Sequence, residues 1–141
     1  MVVELKTYDS AVRIAETLEE EITRTKSVLG EYLRRLDEIR ALAERSRKIR
    51  EVVFKLAGKR ASHETFGELN LGSLGVVLDA SPFDELTAIE EAVRYQQQRL
   101  LDLQKSREAL KWMDQIGNTE GIKYLVLESD GIPKKILLKI S

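Results

Sequence analysis

Cysteine is absent from this 141-residue chain. Disulfides, thiolate nucleophiles and cysteine-ligated metals are therefore excluded. Aromatic residues are scarce, at 6%, so the core has to be built from Leu, Ile, Val and Ala. There is one histidine, His63, and there are two prolines, Pro82 and Pro133. No uninterrupted apolar run approaches the roughly 18 residues of a membrane span. The N-terminal Met-Val-Val-Glu-Leu-Lys has neither the basic region nor the apolar stretch of a signal peptide. These absences lead to the expectation of a cytoplasmic protein with no membrane association. The net charge of −1 supplies no global field for nucleic acid or anionic lipid. Many charges beside two Met, two Asn and no Cys suggest a thermophilic composition, against which the five Gln count.

What the chain does have is heptad patterning. After a β-prone segment at Val2–Lys6, either Asp9 or Ser10 offers a cap for a helix. An apolar ladder follows: Leu18, Ile22, Thr25, Leu29, Tyr32, Leu36, Ile39, Leu42, Ser46, Ile49, Val53, Leu56. Its steps of three and four make a coiled-coil seam, with one irregular step at Leu42, where Ala43 widens the face. The spacing predicts a helix over 8–58, ended by Gly58. Unbroken, it would be about 70 Å long. Gly30 is the expected bend, or else a point where another helix comes close.

Residues 59–81 form a connector, too long to be structureless inside a compact domain. Leu74–Leu78 reads as a strand or an apolar plug. Ser81-Pro82-Phe83-Asp84 then starts a second helix over 82–116, with a Ser cap, Pro in the first turn and acids behind it. Its ladder is Leu86, Ile89, Val93, Gln96, Leu100, Leu103, Arg107, Leu110, Met113, Ile116, with Gly117-Asn118 as the stop. Two β-prone runs flank Asp130-Gly131 over 122–140, the signature of a hairpin with a type I′ turn. Its register is open. A two-residue turn places Leu125 opposite Ile136. A slip of one places Ile122, Tyr124 and Val126 opposite Ile140, Leu138 and Ile136.

The expected fold is mainly α with a small β element: one α+β domain holding a long antiparallel helical hairpin and a C-terminal antiparallel β-hairpin. Charge supports the helical pairing. Arg45, Arg47, Lys48, Arg50, Lys55, Lys59 and Arg60 meet one acid, Glu51, whereas residues 61–93 hold seven acids and no base. If the helix ends meet across the connector, Arg107 falls beside Glu31 as a polar pair in the seam. The apolar stripe Ala11, Ala15, Leu18 and Ile22 then has no partner in the second helix. Ala15, Leu18 and Ile22 become a candidate oligomer interface, unless the terminal hairpin covers them.

Chemistry-bearing motifs are thin. His63-Glu64 lacks the second His, one helical turn on, of a zinc site, and Gly67 stands there instead. Gly72-Ser73-Leu74-Gly75 lacks the Lys-Ser/Thr of a phosphate loop and reads as a tight turn feeding a strand. Its GxxG spacing also occurs in KH-domain loops, which carry basic residues beside the glycines. Asp84-Glu85 and Glu90-Glu91 have no associated Glu-x-x-His, so they read as a solvated face. The expectation is no enzyme, no cofactor and no metal site. It is instead a non-enzymatic, homo-oligomeric coiled-coil interaction or scaffold protein, in a chaperone- or adaptor-like role with a protein partner. The layout is loosely similar to that of prefoldin subunits, which join two coiled-coil helices through β-hairpins, but here the clear hairpin follows the second helix. The alternative is a single-stranded nucleic-acid-binding module. It would use the Arg45–Arg60 strip, or Lys134, Lys135 and Lys139 of the hairpin. Its candidate contacts are Lys59, Arg60, Lys123, Tyr124, Lys134 and Lys135.

Overall fold

A computed structural model describes residues 2–56, 68–78, 80–116 and 121–140, apart from the side chains of residues 68 and 114–116. The elements run β1 (Val3–Tyr8), α1 (Ala11–Leu56), β2 (Glu68–Leu71), β3 (Leu74–Val77), α2 (Pro82–Leu110), a 3-10 helix (Lys111–Ile116), β4 (Ile122–Ser129) and β5 (Ile132–Ile140). This is the α+β fold expected. The chain groups into two compact units, Met1–Val28 with Gln96–Ser141, and Leu29–Tyr95.

Both helices start on side-chain caps. Ser10 rather than Asp9 caps α1: its Oγ accepts from the Arg13 amide at 3.2 Å. At α2 the cap is reciprocal. The Asp84 amide donates to Ser81 Oγ at 3.4 Å, and the Ser81 amide donates to Asp84 Oδ2 at 2.7 Å. Asp84 thus takes the place of Glu in a capping box, with Pro82 in the first turn where its missing N–H costs nothing. The end of α2 differs from expectation. Regular α-helix stops at Leu110, and Lys111–Ile116 tightens to a 3-10 helix, as helix ends do when unsatisfied carbonyls take i+3 partners.

α1 is one continuous helix through Gly30, and a Cβ placed on Gly30 would meet no atom within 4 Å. Gly30 is therefore not a site of close approach. The buried positions correct the seam. Leu42 is exposed and Ala43 is buried, so the heptad continues regularly through Ala43 to the half-buried Ser46 and Arg50. That turns Ile49 and Leu56 off the seam, whereas Val53 stays on it three residues after Arg50; all three are exposed.

The Leu29–Tyr95 unit has a core of Leu36, Ile39, Ile89 and Val93, with Leu29, Tyr32 and Leu86 against it. Its connector carries a hairpin that the sequence signals understate. β2 pairs with β3 from Glu68↔Val77 to Leu71↔Leu74, and Gly72, at φ 66°, takes the first turn position as in a type II′ turn.

The other unit has a three-stranded antiparallel sheet ordered β1-β4-β5, laid over the first turns of α1 and the last turns of α2. Its core holds Ile14, Leu18 and Ile22 from α1, Leu103 and Leu110 from α2, and Tyr124, Val126 and Ile132 from the sheet. The early part of α1 thus meets the late part of α2 in one unit, and the late part of α1 meets the early part of α2 in the other.

Candidate interaction surface

The surface is built from the C-terminal hairpin outward. Asp130 and Gly131 both take positive φ, 53° and 78°, as the two centres of a type I′ turn require. Asp130 can do so because a short polar side chain tolerates the left-handed region better than a branched one. Ser129 faces Ile132 across this two-residue turn, and Glu128 faces Pro133. Leu127 then faces Lys135, so Lys134 is an extra residue, a β-bulge. Beyond the bulge the pairs are Val126↔Ile136, Tyr124↔Leu138 and Ile122↔Ile140. Both registers open in the sequence are thus realised: the two-residue turn at the tip, the slipped one below it. Pro133, which has no N–H to donate, sits beside the bulge on an edge strand.

β1 completes the sheet along the other edge of β4, from Val3↔Ser129 to Tyr8↔Tyr124. The tip is tied to it twice. The Val2 amide donates to Asp130 Oδ1 at 2.9 Å, and the Asp130 amide donates to the Val2 carbonyl at 2.7 Å.

Strand alternation sorts the side chains onto two faces. The inner face of β4 presents Tyr124, Val126 and Glu128, all buried. Glu128 is held there by two donors: the Tyr8 hydroxyl donates to Oε1 at 2.9 Å, and Lys6 Nζ lies 3.2 Å from Oε2. The hydrogen bond and charge of Glu128 raise the Lys6 pKa above its ordinary value. Burial, then the Glu128 hydrogen bond, raises that of Tyr8.

A second polar tie joins the helices to the hairpin tip. Arg99 of α2 donates to the Asp130 carbonyl, and its other terminal nitrogen lies 3.2 Å from Glu21 Oε2 of α1. One planar fork so links three elements. A cleft of roughly 190 Å³ opens between the end of α2 and β5, lined by Ser106, Leu110, Met113, Pro133, Lys134 and Ile136 among others.

The outer face is different. Its positions are Val3, Leu5 and Thr7 on β1, Lys123, Leu125, Leu127 and Ser129 on β4, and Lys135, Leu137 and Lys139 on β5. Val3 is 58% exposed, Leu5 59% and Leu137 47%, and Leu125 and Leu127 are half-buried between them. Five neighbouring aliphatic side chains, three exposed and two half-buried, thus share the face, with three lysines and no carboxylate at the face positions. The Leu29–Tyr95 unit has its own exposed aliphatics: Ile49, Val52, Val53 and Leu56 on α1, and Leu69, Leu71 and Leu74 on the β2–β3 hairpin.

Several sequence expectations are corrected here. Leu18 and Ile22 are 3% and 2% exposed within one chain, and Ala15 is half-buried, so the stripe is not an open interface. The terminal hairpin, joined by β1, covers it. Arg107 pairs with Glu19 at 3.0 Å and not with Glu31, which is exposed more than three helical turns further on. The expectation set the end of the first helix beside the start of the second, whereas the connector carries a hairpin of its own and α2 is shifted along α1. Tyr124 is 3% exposed, so it is a core residue and no stacking platform. By strand register Lys123 and Lys135 take outer-face positions, and both Lys134 and Lys135 border the cleft at the sheet edge. Lys59, Arg60, His63, Gly58 and Gly117-Asn118 fall outside the described residues.

Arg99 and Glu128 are the residues the sequence reading missed. A signal for Glu128 existed, because it shares alternation with Tyr124 and Val126. Arg99 flanks the seam like any solvated charge, and nothing local marks it.

No known protein family, curated protein or solved structure matches the chain. Among the described residues, no helix is long and apolar enough to cross a membrane.

Proposed function

We propose that this protein is a non-enzymatic interaction protein, a coiled-coil scaffold that acts as a homo-oligomer. The observation that carries this reading is the outer face of the sheet. It sets aliphatic side chains side by side on paired strands, where a stable fold normally covers them with a second layer. Rigid strands present such a face with little ordering cost on binding. The exposed aliphatics of the other unit supply a separate surface for a protein partner, in keeping with an adaptor-like role.

The mass of the unmodified chain in solution tests this. Light scattering over a range of concentrations is expected to give a species heavier than the 16.1 kDa chain. A mass of one chain at every concentration would remove the oligomeric reading.

A further inference from the structure

Resting on that reading, we infer that the oligomer is a two-fold dimer made by the outer faces of two β1-β4-β5 sheets. The axis lies perpendicular to the strands and crosses the middle of β4. The occupant of each face is a second copy of this chain.

The argument starts from the order of outward residues along β4: Lys123, Leu125, Leu127, Ser129. Read backwards, the same positions give Ser129, Leu127, Leu125, Lys123. A two-fold axis through the centre of β4 therefore lays Leu125 on Leu127 of the second copy, and Leu127 on Leu125. It sets Lys123 over Ser129 of the second copy, so the two Lys123 side chains avoid each other. The flanking strands agree. Leu137 lies over the stem of Lys135 of the second copy, and Leu5 over Thr7. An isologous contact demands this self-complementarity, in which residue i meets j and j meets i. A two-fold axis parallel to the strands would instead oppose Lys123 to itself.

Size is consistent with a dimer. Five aliphatic side chains and three lysine stems offer on the order of 500 Å² per copy, so pairing removes on the order of 1,000 Å², where specific interfaces begin. Two sheets packed face to face are a standard solution to an open apolar sheet face. The product is a six-stranded sandwich, each sheet backed by its own helices. A nucleic acid fits the face less well, because its centre is aliphatic and its face positions hold no aromatic or arginine.

The absence of cysteine allows a clean test. In the double variant Lys123→Cys/Ser129→Cys, a short bis-maleimide should join two chains rapidly. Ser129→Cys alone should not, because its counterpart lies opposite residue 123. Linkage within one chain is out of reach, since the two positions are about 20 Å apart along the strand. Both changes are at the surface and leave the core intact. In parallel, Leu125→Lys/Leu127→Lys should raise the dissociation constant at least about a hundredfold and yield the mass of one chain. Equal crosslinking of the double and single cysteine variants would overturn the inference. So would a dimer mass that survives both lysines, which moves the interface elsewhere and leaves the oligomeric reading standing. A monomeric unmodified chain would end both.

Discussion

Arg99 is the charged side chain of α2 that ties three elements together. Its guanidinium holds Glu21 and the carbonyl of Asp130, joining α1, α2 and the hairpin tip, and its side chain is only 16% exposed. Charge-assisted bonds of this kind are worth about 1.5–3 kcal/mol. Arg99→Ala should therefore destabilise by about that amount in denaturant unfolding. Arg99→Lys should recover little, because an ammonium cannot reproduce the fork. A loss under about 0.5 kcal/mol, the level of an ordinary surface change, would contradict the clamp. Arg107 presents a contrast. Its side chain is 32% exposed and that of its partner Glu19 52%, so the pair falls in the weak, screened class.

Lys6, Tyr8 and Glu128 give stability a pH dependence of known sign. Both Lys6 and Tyr8 have folded pKa values raised above their ordinary ones, so the fold holds their protons more tightly than the unfolded chain does. Their contribution is complete below the unfolded values of about 10 to 10.4 and is lost as pH rises through the folded ones. Alkaline unfolding curves should therefore show stability falling above about pH 10. In Glu128→Gln the fall attributable to this cluster should shrink, because the negative charge that favours both protons is gone. An identical alkaline slope in the variant would contradict the assignment.

At the scale of elements, the helices were readable because their signals are local. Ser10, Ser81, Pro82 and Asp84 act where they stand, and the three-four spacing of Leu36, Ile39, Ile89 and Val93 is the seam itself. The I′ turn was equally local. The rest was not, for a physical reason in each case. The pairing of β1 with β4 joins strands as far apart in the chain as Val3 and Ser129, and no short-range pattern encodes such a partner. The slide of α2 along α1, which puts Glu19 rather than Glu31 beside Arg107, depends on a connector whose hairpin has only Gly72-Ser73 as its mark. At Ala43 the ladder offered two routes, and the larger Leu42 was the wrong one because the regular heptad runs through Ala43. The bulge at Lys134 reconciled two registers that strand alternation treats as exclusive.

Gly30 tests the continuity of α1. The residue is helical, exposed, and open around the position of a Cβ. Gly30→Ala should stabilise the protein by up to about 1 kcal/mol, through helix propensity and a less free unfolded chain. Thermal and denaturant unfolding would check it. Destabilisation would mean that the backbone there departs from a regular helix.

At the scale of the whole molecule, the stripe Ala15, Leu18 and Ile22 and the outer sheet face exchange roles. The sequence reading favoured a second subunit over the stripe, with the terminal hairpin as the alternative cover. The sheet closes over it, and in doing so turns its own second face, with Val3, Leu5 and Leu137, outward. A two-layer arrangement of helices and sheet buries one face of the sheet and leaves the other for a further layer. The self-complementary order along β4 favours another copy of the same surface as that layer, with Leu125 and Leu127 at its centre and the three lysines toward its margins.

The most direct test is the solvent accessibility of methyl groups in the unmodified chain, read by NMR with a soluble paramagnetic agent. Leu103, at 0% exposure, and Val12, at 62%, supply the buried and exposed limits within the same unit. The account expects the methyls of Leu5, Leu125, Leu127 and Leu137 to resist the agent as Leu103 does at high concentration, and to lose that protection on dilution. Methyls that are bleached like those of Val12 at every concentration would show an uncovered face, and would contradict the account.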